Sequence, residues 1–379
     1  MRLRVLVLGS LLGACSGLVG ELPGSDAGIV AELDGGLVSV DAGEGRDAGS
    51  VEPGVDAGTD AGAAVPDAGL ALVDAGLPDA GRALRPAFLI GGQDMRHLVS
   101  FDGRTWQADS FVAPNGEDNA FSGAAIGPGV MVLSGDPGLY RSTDGLTWSL
   151  AQARPDRFTF HSSAAAYANG QFVVVSQDTA WRSVDGLTWE TKQDTVGSAG
   201  HWHGLVWGNG HWLALGDGTR KLSENGLDWH DVVHFTDTTF QGVAFGNGRF
   251  VAVGLVGGNG WVATSTDGLT WTPQATIPTM YATGLSAITF ARGVFITSTC
   301  CTTLQSADGV SWTSHGSNGS GGAMVTAGGL VVSSGWRTEA SFFDADAGQF
   351  ARTLTGDRPS PFEDGGIAPW FTGLGAGEF

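Results

Sequence analysis

The phrase Ser-x-Asp-Gly-x-Thr-Trp recurs along this chain at a nearly fixed interval. It stands at Ser100–Trp106, Ser142–Trp148, Ser183–Trp189 and Ser265–Trp271. Looser copies run from Ser223 to Trp229, where Asn225 replaces the Asp, and from Ser306 to Trp312, where Ser311 replaces the Thr. The closing Trp residues are 42, 41, 40, 42 and 41 positions apart. A period near 40 residues builds an array whose units cannot bury their own cores and must pack on their neighbours.

The surroundings of each phrase repeat as well. Gly242–Gly254 (GVAFGNGRFVAVG) leads after a variable loop to Trp261–Trp271, and Gly204–Gly216 and Ala164–Val175 are further copies. Short apolar runs with period-two alternation, joined by Gly-Asn-Gly and Asp-Gly turns, are strand and hairpin signals. Each unit therefore reads as four strands, exemplified by A (242–246), B (250–254), C (261–265) and D (269–274). No 3.6-residue periodicity of helix length follows residue 84. Four-stranded units of this length are propeller blades, so the expected fold is all-β, a seven-bladed β-propeller, with six and eight as the neighbouring counts.

The first unit, Pro86–Trp106, lacks an A strand ahead of it, and the last, Leu330–Phe350, has a degenerate turn. The end of the chain, Phe371–Phe379 (FTGLGAGEF), echoes Phe240–Phe250 and stops where Phe88-Leu89-Ile90-Gly91 would take over. The C-terminus is expected to supply the missing inner strand and so close the ring, removing exposed sheet edges.

The repeated phrase has a structural explanation. An Asp at the head of a tight turn accepts hydrogen bonds from N–H groups two or three residues on. Gly supplies the positive-φ corner, and the Trp buries a large ring between blades. The phrase resembles the Asp box, or BNR repeat, of sialidases, xyloglucanases and related propellers, over most of residues 86–350. It departs in one respect: the usual box has a residue between Asp and Gly, and here they are adjacent. The resemblance implies that Asp102, Asp144, Asp185, Asn225, Asp267 and Asp308 are structural and lie away from any ligand face.

The N-terminus carries a different signal. Arg2 and Arg4, an apolar stretch from Val5 to Leu12, and then Leu12-Gly13-Ala14-Cys15 form a secretory pattern. It resembles a bacterial lipobox, implying a lipoprotein signal peptide over 1–14 and lipid attachment at Cys15. The apolar stretch is too short to span a bilayer. Residues 15–83 form an acidic, low-complexity linker in which Asp-Ala-Gly recurs at Asp26, Asp41, Asp47, Asp56, Asp60, Asp67, Asp74 and Asp79. Such a composition cannot bury enough apolar surface to order itself and reads as a disordered tether. It resembles the spacers of myxobacterial surface lipoproteins, so the expected location is the outer membrane or cell surface of a Gram-negative bacterium. The propeller takes residues 84–379.

The net charge of −20 divides into +2 in the signal, −11 in the tether and −11 in the propeller. Without a basic patch, nucleic acid is not an expected partner. No cofactor or metal is expected. A monomer is expected. Apart from Cys15 the cysteines are Cys300 and Cys301, which form either a strained vicinal disulfide or two free thiols.

In an A–B–C–D blade the A–B and C–D turns share one face, so the boxes crowd that side and ligands are expected on the other. The connections gathered there hold Asp118, Arg157, His161, His201, Trp202, His203 and Tyr281 as candidate ligand-rim residues. His201 and His203, two apart on a strand, project to the same side, but no third ligand accompanies them. The expected function is a membrane-tethered, non-enzymatic binding module for glycan or protein. The alternative is a glycoside hydrolase or lyase of the Asp-box type, which needs two opposed carboxylates.

Overall fold

The computed structural model describes residues 84–92, 95–110, 120–136, 138–153, 163–193, 196, 201–216, 219–232, 239–274, 277, 284–299, 302–315, 322–334, 340–344, 349–353 and 371–379. Among these, every regular element is a strand. The first unit contains β1 (Pro86–Gly92), β2 (Arg96–Ser100) and β3 (Gln107–Ser110); the second β4 (Phe121–Gly127), β5 (Val130–Gly135), β6 (Gly138–Ser142) and β7 (Ser149–Ala153). The third contains β8 (Ser163–Ala168), β9 (Gln171–Ser176), β10 (Thr179–Ser183) and β11 (Glu190–Lys192); the fourth β12 (Trp202–Gly208), β13 (His211–Gly216), β14 (Thr219–Ser223) and β15 (His230–Asp231). The fifth has β16 (Thr239–Gly246), β17 (Arg249–Val256), β18 (Asn259–Ser265) and β19 (Thr272–Pro273); the sixth β20 (Ala287–Ala291), β21 (Val294–Ser298), β22 (Thr303–Ser306) and β23 (Thr313–His315). Last come β24 (Met324–Ala327), β25 (Leu330–Ser334), β26 (Ala340–Asp344), β27 (Gln349–Thr353) and β28 (Phe371–Glu378).

Consecutive strands pair antiparallel into four-stranded sheets that resemble propeller blades. The first sheet has the order β28-β1-β2-β3: the C-terminal strand pairs with β1 from Pro86↔Glu378 to Gly91↔Gly373. Arg85 and Phe379 exchange backbone hydrogen bonds at 3.0 and 2.8 Å beyond the ladder. The first strand of each sheet packs on that of the next, in the order β4, β8, β12, β16, β20 and β24, and β28 touches both β24 and β4.

This contact between inner strands rests on a size alternation. Phe245 and Phe290 each close an inner strand and stack on the ring that opens the next strand, Phe250 and Phe295, at centroid separations of 4.8 Å. On the other side, Phe290 lies against Gly246 of the preceding sheet, where a Cβ would come within 2.2 Å of its ring. Gly208 faces Phe245 in the same way. The Asn of the Gly-Asn-Gly turns then ties sheet to sheet. Asn247 Nδ2 donates to the Gly293 carbonyl (3.0 Å) and to the Ala307 carbonyl (2.9 Å), and Asn209 Nδ2 does the same to Gly248 (3.0 Å) and Thr266 (2.6 Å). Both Asn residues sit at φ 47°, in the left-handed region that Asn tolerates. These bonds run from an A–B turn to both the A–B and the C–D turn of the next sheet, so both kinds of turn lie on one face.

The boxes are built alike. At Asp267, Oδ1 accepts the N–H groups of Leu269 (2.9 Å) and Thr270 (2.7 Å) together with the Ser265 hydroxyl (2.9 Å). The Gly268 N–H donates to Ser265 Oγ at 2.8 Å and the Trp271 indole N–H to the Gly268 carbonyl at 2.8 Å. The same pattern holds Asp144, Asp185 and Asp308. Asp102 also accepts the Thr105 hydroxyl. Asn225 substitutes through its Oδ1, accepting from Leu227 (2.9 Å) and Asp228 (2.8 Å), while its Nδ2 donates to Asp228 Oδ2 (2.7 Å). The box glycines occupy φ of 69–81°, which only Gly adopts without strain. Each Trp then packs between its own sheet and the one before: Trp271 lies with Phe250 and Leu213, and Trp312 with Phe295 and Val251.

In the fifth sheet the A, B and C strands extend beyond the expected bounds, to Thr239–Gly246, Arg249–Val256 and Asn259–Ser265, and the D strand is shorter than expected. The D strand, expected from Leu269, begins at Thr272. The N–H groups of Leu269 and Thr270 are already donated to Asp267, so the ladder can start only after the Trp.

Deleting Phe371–Phe379 is expected to lower the melting temperature by roughly ten degrees, because an inner strand and its packing on β4 and β24 are lost together; a melt within about a degree of the intact chain contradicts this. The box carboxylates give a pH dependence. Partial burial opposes ionisation of Asp102, but the Thr105 hydroxyl and the N–H groups of Thr105 and Arg104 hold it at about 2, below the ordinary 3.8. Asp267 is shifted the same way, burial again opposing and its N–H donors prevailing. A depressed folded pKa contributes stability that is present above pH 3.8 and lost as the pH falls toward 2. Asp267→Asn is expected to melt near the wild type at pH 7, as the Asn225 box shows a neutral acceptor suffices, and to lose part of the acid sensitivity. Asp267→Ala is expected to cost about 1–3 kcal/mol at pH 7 and less in acid. Equal melting of Asn and Ala variants would contradict the turn's dependence on its acceptor.

Candidate binding site at the mouth of the channel

The inner strands β4, β8, β12, β16, β20, β24 and β28 together surround a cavity of 670 Å³. Each of them is the end strand of its sheet, so one row of N–H and C=O groups on each is left without a strand partner. At the end opposite the boxes, where the inner strands begin, the described lining includes a collar of Ser122, Ser163, His203, Gln241 and Ser286.

The local sequence explains the collar. Where β4, β12 and β16 start, the register with the following strand skips one residue, at Ser122, His203 and Gln241 respectively. The sequence there is aromatic-polar-Gly: Phe121-Ser122-Gly123, Trp202-His203-Gly204 and Phe240-Gln241-Gly242. The aromatic residue is buried, the Gly permits close approach (a Cβ on Gly204 would meet Val243 at 2.9 Å), and the ladder passes over the bulged middle residue. Phe371-Thr372-Gly373 repeats the triplet, and there too the ladder passes from Gly373 to Phe371.

Ser163 links the collar to the core. Its N–H donates to Ser122 Oγ (2.9 Å), and its hydroxyl shares hydrogen bonds with Ser122 (2.6 Å) and the buried Ser134 (2.7 Å). Ser286 Oγ donates to the Ser298 carbonyl at 2.9 Å. Among the described residues lining the cavity, none is a carboxylate, lysine or arginine. The site offers neutral hydrogen bonding above walls of Ala, Val and Ile.

Of the residues named from sequence, His201 and His203 do project to one side, with ring centroids 6.3 Å apart and planes inclined at 27°. Trp202 is among the residues that line the cavity, but its indole is buried. It is 6% exposed, packs with Trp212 and Val175, and donates its indole N–H to the Gln177 carbonyl at 3.2 Å. Strand alternation sends it opposite to its two His neighbours. Asp118, Arg157, His161, Tyr281, Cys300, Cys301 and Cys15 lie outside the described residues. Among the described residues no group of three or more His, Cys, Asp or Glu side chains gathers as for a metal. Sequence reasoning missed Ser122, Ser163, Gln241 and Ser286. The aromatic-polar-Gly triplets were the available signal for Ser122 and Gln241.

No family model and no curated protein matches the sequence. Solved structures do match. A Lactobacillus plantarum protein gives a TM-score of 0.54 at 14% identity, over 76% of this chain and 98% of that one. YCF48 bound to D1 peptide gives 0.50 at 14% identity, over 69% and 88%. The WD40 domain of Neurospora crassa Pan2 gives 0.50 at 9% identity, over 68% and 82%. At these identities the likeness concerns fold alone. Together with the four-stranded sheets, the inner-strand contacts and the enclosed cavity, it makes the described part of this chain a β-propeller.

Proposed function

We propose that this protein is a bacterial lipoprotein whose propeller has seven blades, is closed by its C-terminal strand, and binds a protein segment at the channel mouth without catalysis. In this reading Cys15 carries the lipid, the Asp-Ala-Gly segment is the tether, and the protein stands on the outer membrane or cell surface. The boxes are Asp boxes in a compacted form, serving as scaffold.

The observation that supports binding is the collar. Unpartnered backbone groups of the inner strands, together with Ser122, Ser163, His203, Gln241 and Ser286, are donors and acceptors suited to an extended peptide. YCF48, which shares the fold, has been solved with a peptide bound. A glycan is the second ligand class that neutral hydrogen bonding would serve. A hydrolase would need two carboxylates across the substrate, and the described lining residues bring none.

Two measurements test the proposal. In detergent phase partitioning, the wild type is expected in the detergent phase and Cys15→Ala in the aqueous phase or as unprocessed precursor; unchanged partitioning contradicts the lipid anchor. Screening the protein against peptide and glycan arrays alongside chromogenic glycosides is expected to yield peptide binding without turnover. His203→Ala/Gln241→Ala should weaken that binding on the order of tenfold or more. Glycoside turnover, or binding untouched by collar changes, contradicts it.

A further inference from the structure

The box turns carry a feature that scaffolding does not explain. The residue after the box Gly is Leu146, Leu187, Leu269 or Val310 in four units, and each of these side chains is 43–56% exposed. Val184, inside the third box, is more exposed still. Single exposed aliphatics are ordinary. Here the same turn position repeats the exposure on four sheets, all on the face that the Asn209 and Asn247 bonds mark as shared by A–B and C–D turns. In the fourth box the equivalent Leu227 is buried beside Trp212, and in the first the position is Arg104.

The chain enters the propeller on this face. Pro86 opens β1 opposite Glu378, whose Oε1 accepts the N–H of Gly328 (3.0 Å) in the A–B turn between β24 and β25. Leu84, at the entry point, is also exposed. Leu84 and Arg85, the first described residues, therefore lie on the side that carries the aliphatic tips.

We infer that the box face docks on an electrically neutral phospholipid surface through Leu146, Leu187, Leu269 and Val310, leaving the channel mouth turned away from the membrane. The direction rests on the lipid-anchor reading; the docking itself does not. Tips one or two sheets apart, with polar turns between them, lack the contiguous desolvated centre of a protein interface. A fluid bilayer accepts separate apolar side chains at one depth. The lipid is neutral because each tip lies two residues beyond a carboxylate, Asp144, Asp185, Asp267 or Asp308, which an anionic surface would repel. Those carboxylates are already held by N–H and hydroxyl donors and remain at headgroup level, in water.

The test uses residues 16–379, the mature chain without the acylated cysteine, so its outcome is independent of Cys15. This chain is expected to float with phosphatidylcholine vesicles. A Leu146→Ser/Leu187→Ser/Leu269→Ser/Val310→Ser variant with an unchanged thermal melt should bind on the order of tenfold less. Replacing part of the phosphatidylcholine with phosphatidylglycerol should reduce flotation of the parent chain. Equal flotation of parent and variant, or preference for the anionic vesicles, overturns the inference. So does a lack of flotation accompanied by a dimer that the four substitutions abolish, which would assign the tips to a second copy of the chain. Failure of the anchor reading would show instead in detergent partitioning of the full chain.

Discussion

In six of the repeats a serine hydroxyl and an acidic or amide side chain two residues later decide how the chain turns from the third strand to the fourth. The Ser accepts the Gly N–H and donates to the Asp, and the Asp takes the next two N–H groups. Four backbone and side-chain donors are thereby satisfied within one exposed turn, at little cost in buried polarity. The geometry fixes the Trp, whose indole N–H reaches back to the Gly carbonyl, so that its ring lies against the preceding sheet. Intersheet packing thus depends on a local turn. Without it the sheet faces would have no fixed partner, because a four-stranded unit is too small to hide them.

That arrangement separates the two faces of the molecule. On the box side, turns repeat nearly verbatim and are crossed by the Asn209 and Asn247 bonds. On the other side β4, β8, β12, β16 and β20 begin with a bulge or a hydroxyl, and the residues there are Ser, Ser, His, Gln and Ser. Uniform turns suit a scaffold, and varied positions suit recognition. The cavity between them is lined by strand edges, so its polarity comes as much from the backbone as from side chains.

Much of the fold was legible because the period, the hairpin turns and the Trp spacing all encode one supersecondary unit. The echo of Phe240–Phe250 at the C-terminus pointed to the β28–β1 pairing for the same reason. The start of the D strand was misplaced by three residues, since apolarity at Leu269 looks like strand whether its N–H enters a ladder or a turn. Trp202 was read as a rim residue from the company of His201 and His203, although alternation alone would have sent it inward. The collar escaped notice because a lone Ser carries almost no signal; Ser163 and Ser286 acquire meaning only when seven strand starts are brought around one cavity. The exposed leucines were invisible in sequence, where an aliphatic residue beside a strand is normally assigned to the core. The Asn of the hairpins was read as turn chemistry, and its reach to the next sheet depends on a neighbour that sequence cannot place.

The central claim is that recognition belongs to the channel mouth and not to the boxes. Hydrogen–deuterium exchange of the full chain, with and without a peptide taken from the array, tests it most directly. The account predicts new protection at the starts of β4, β8, β12, β16 and β20, around Ser122, Ser163, His203, Gln241 and Ser286, with the box turns unchanged. Protection confined to the turns at Asp144, Asp185, Asp267 and Asp308, with the strand starts unaffected, would contradict it.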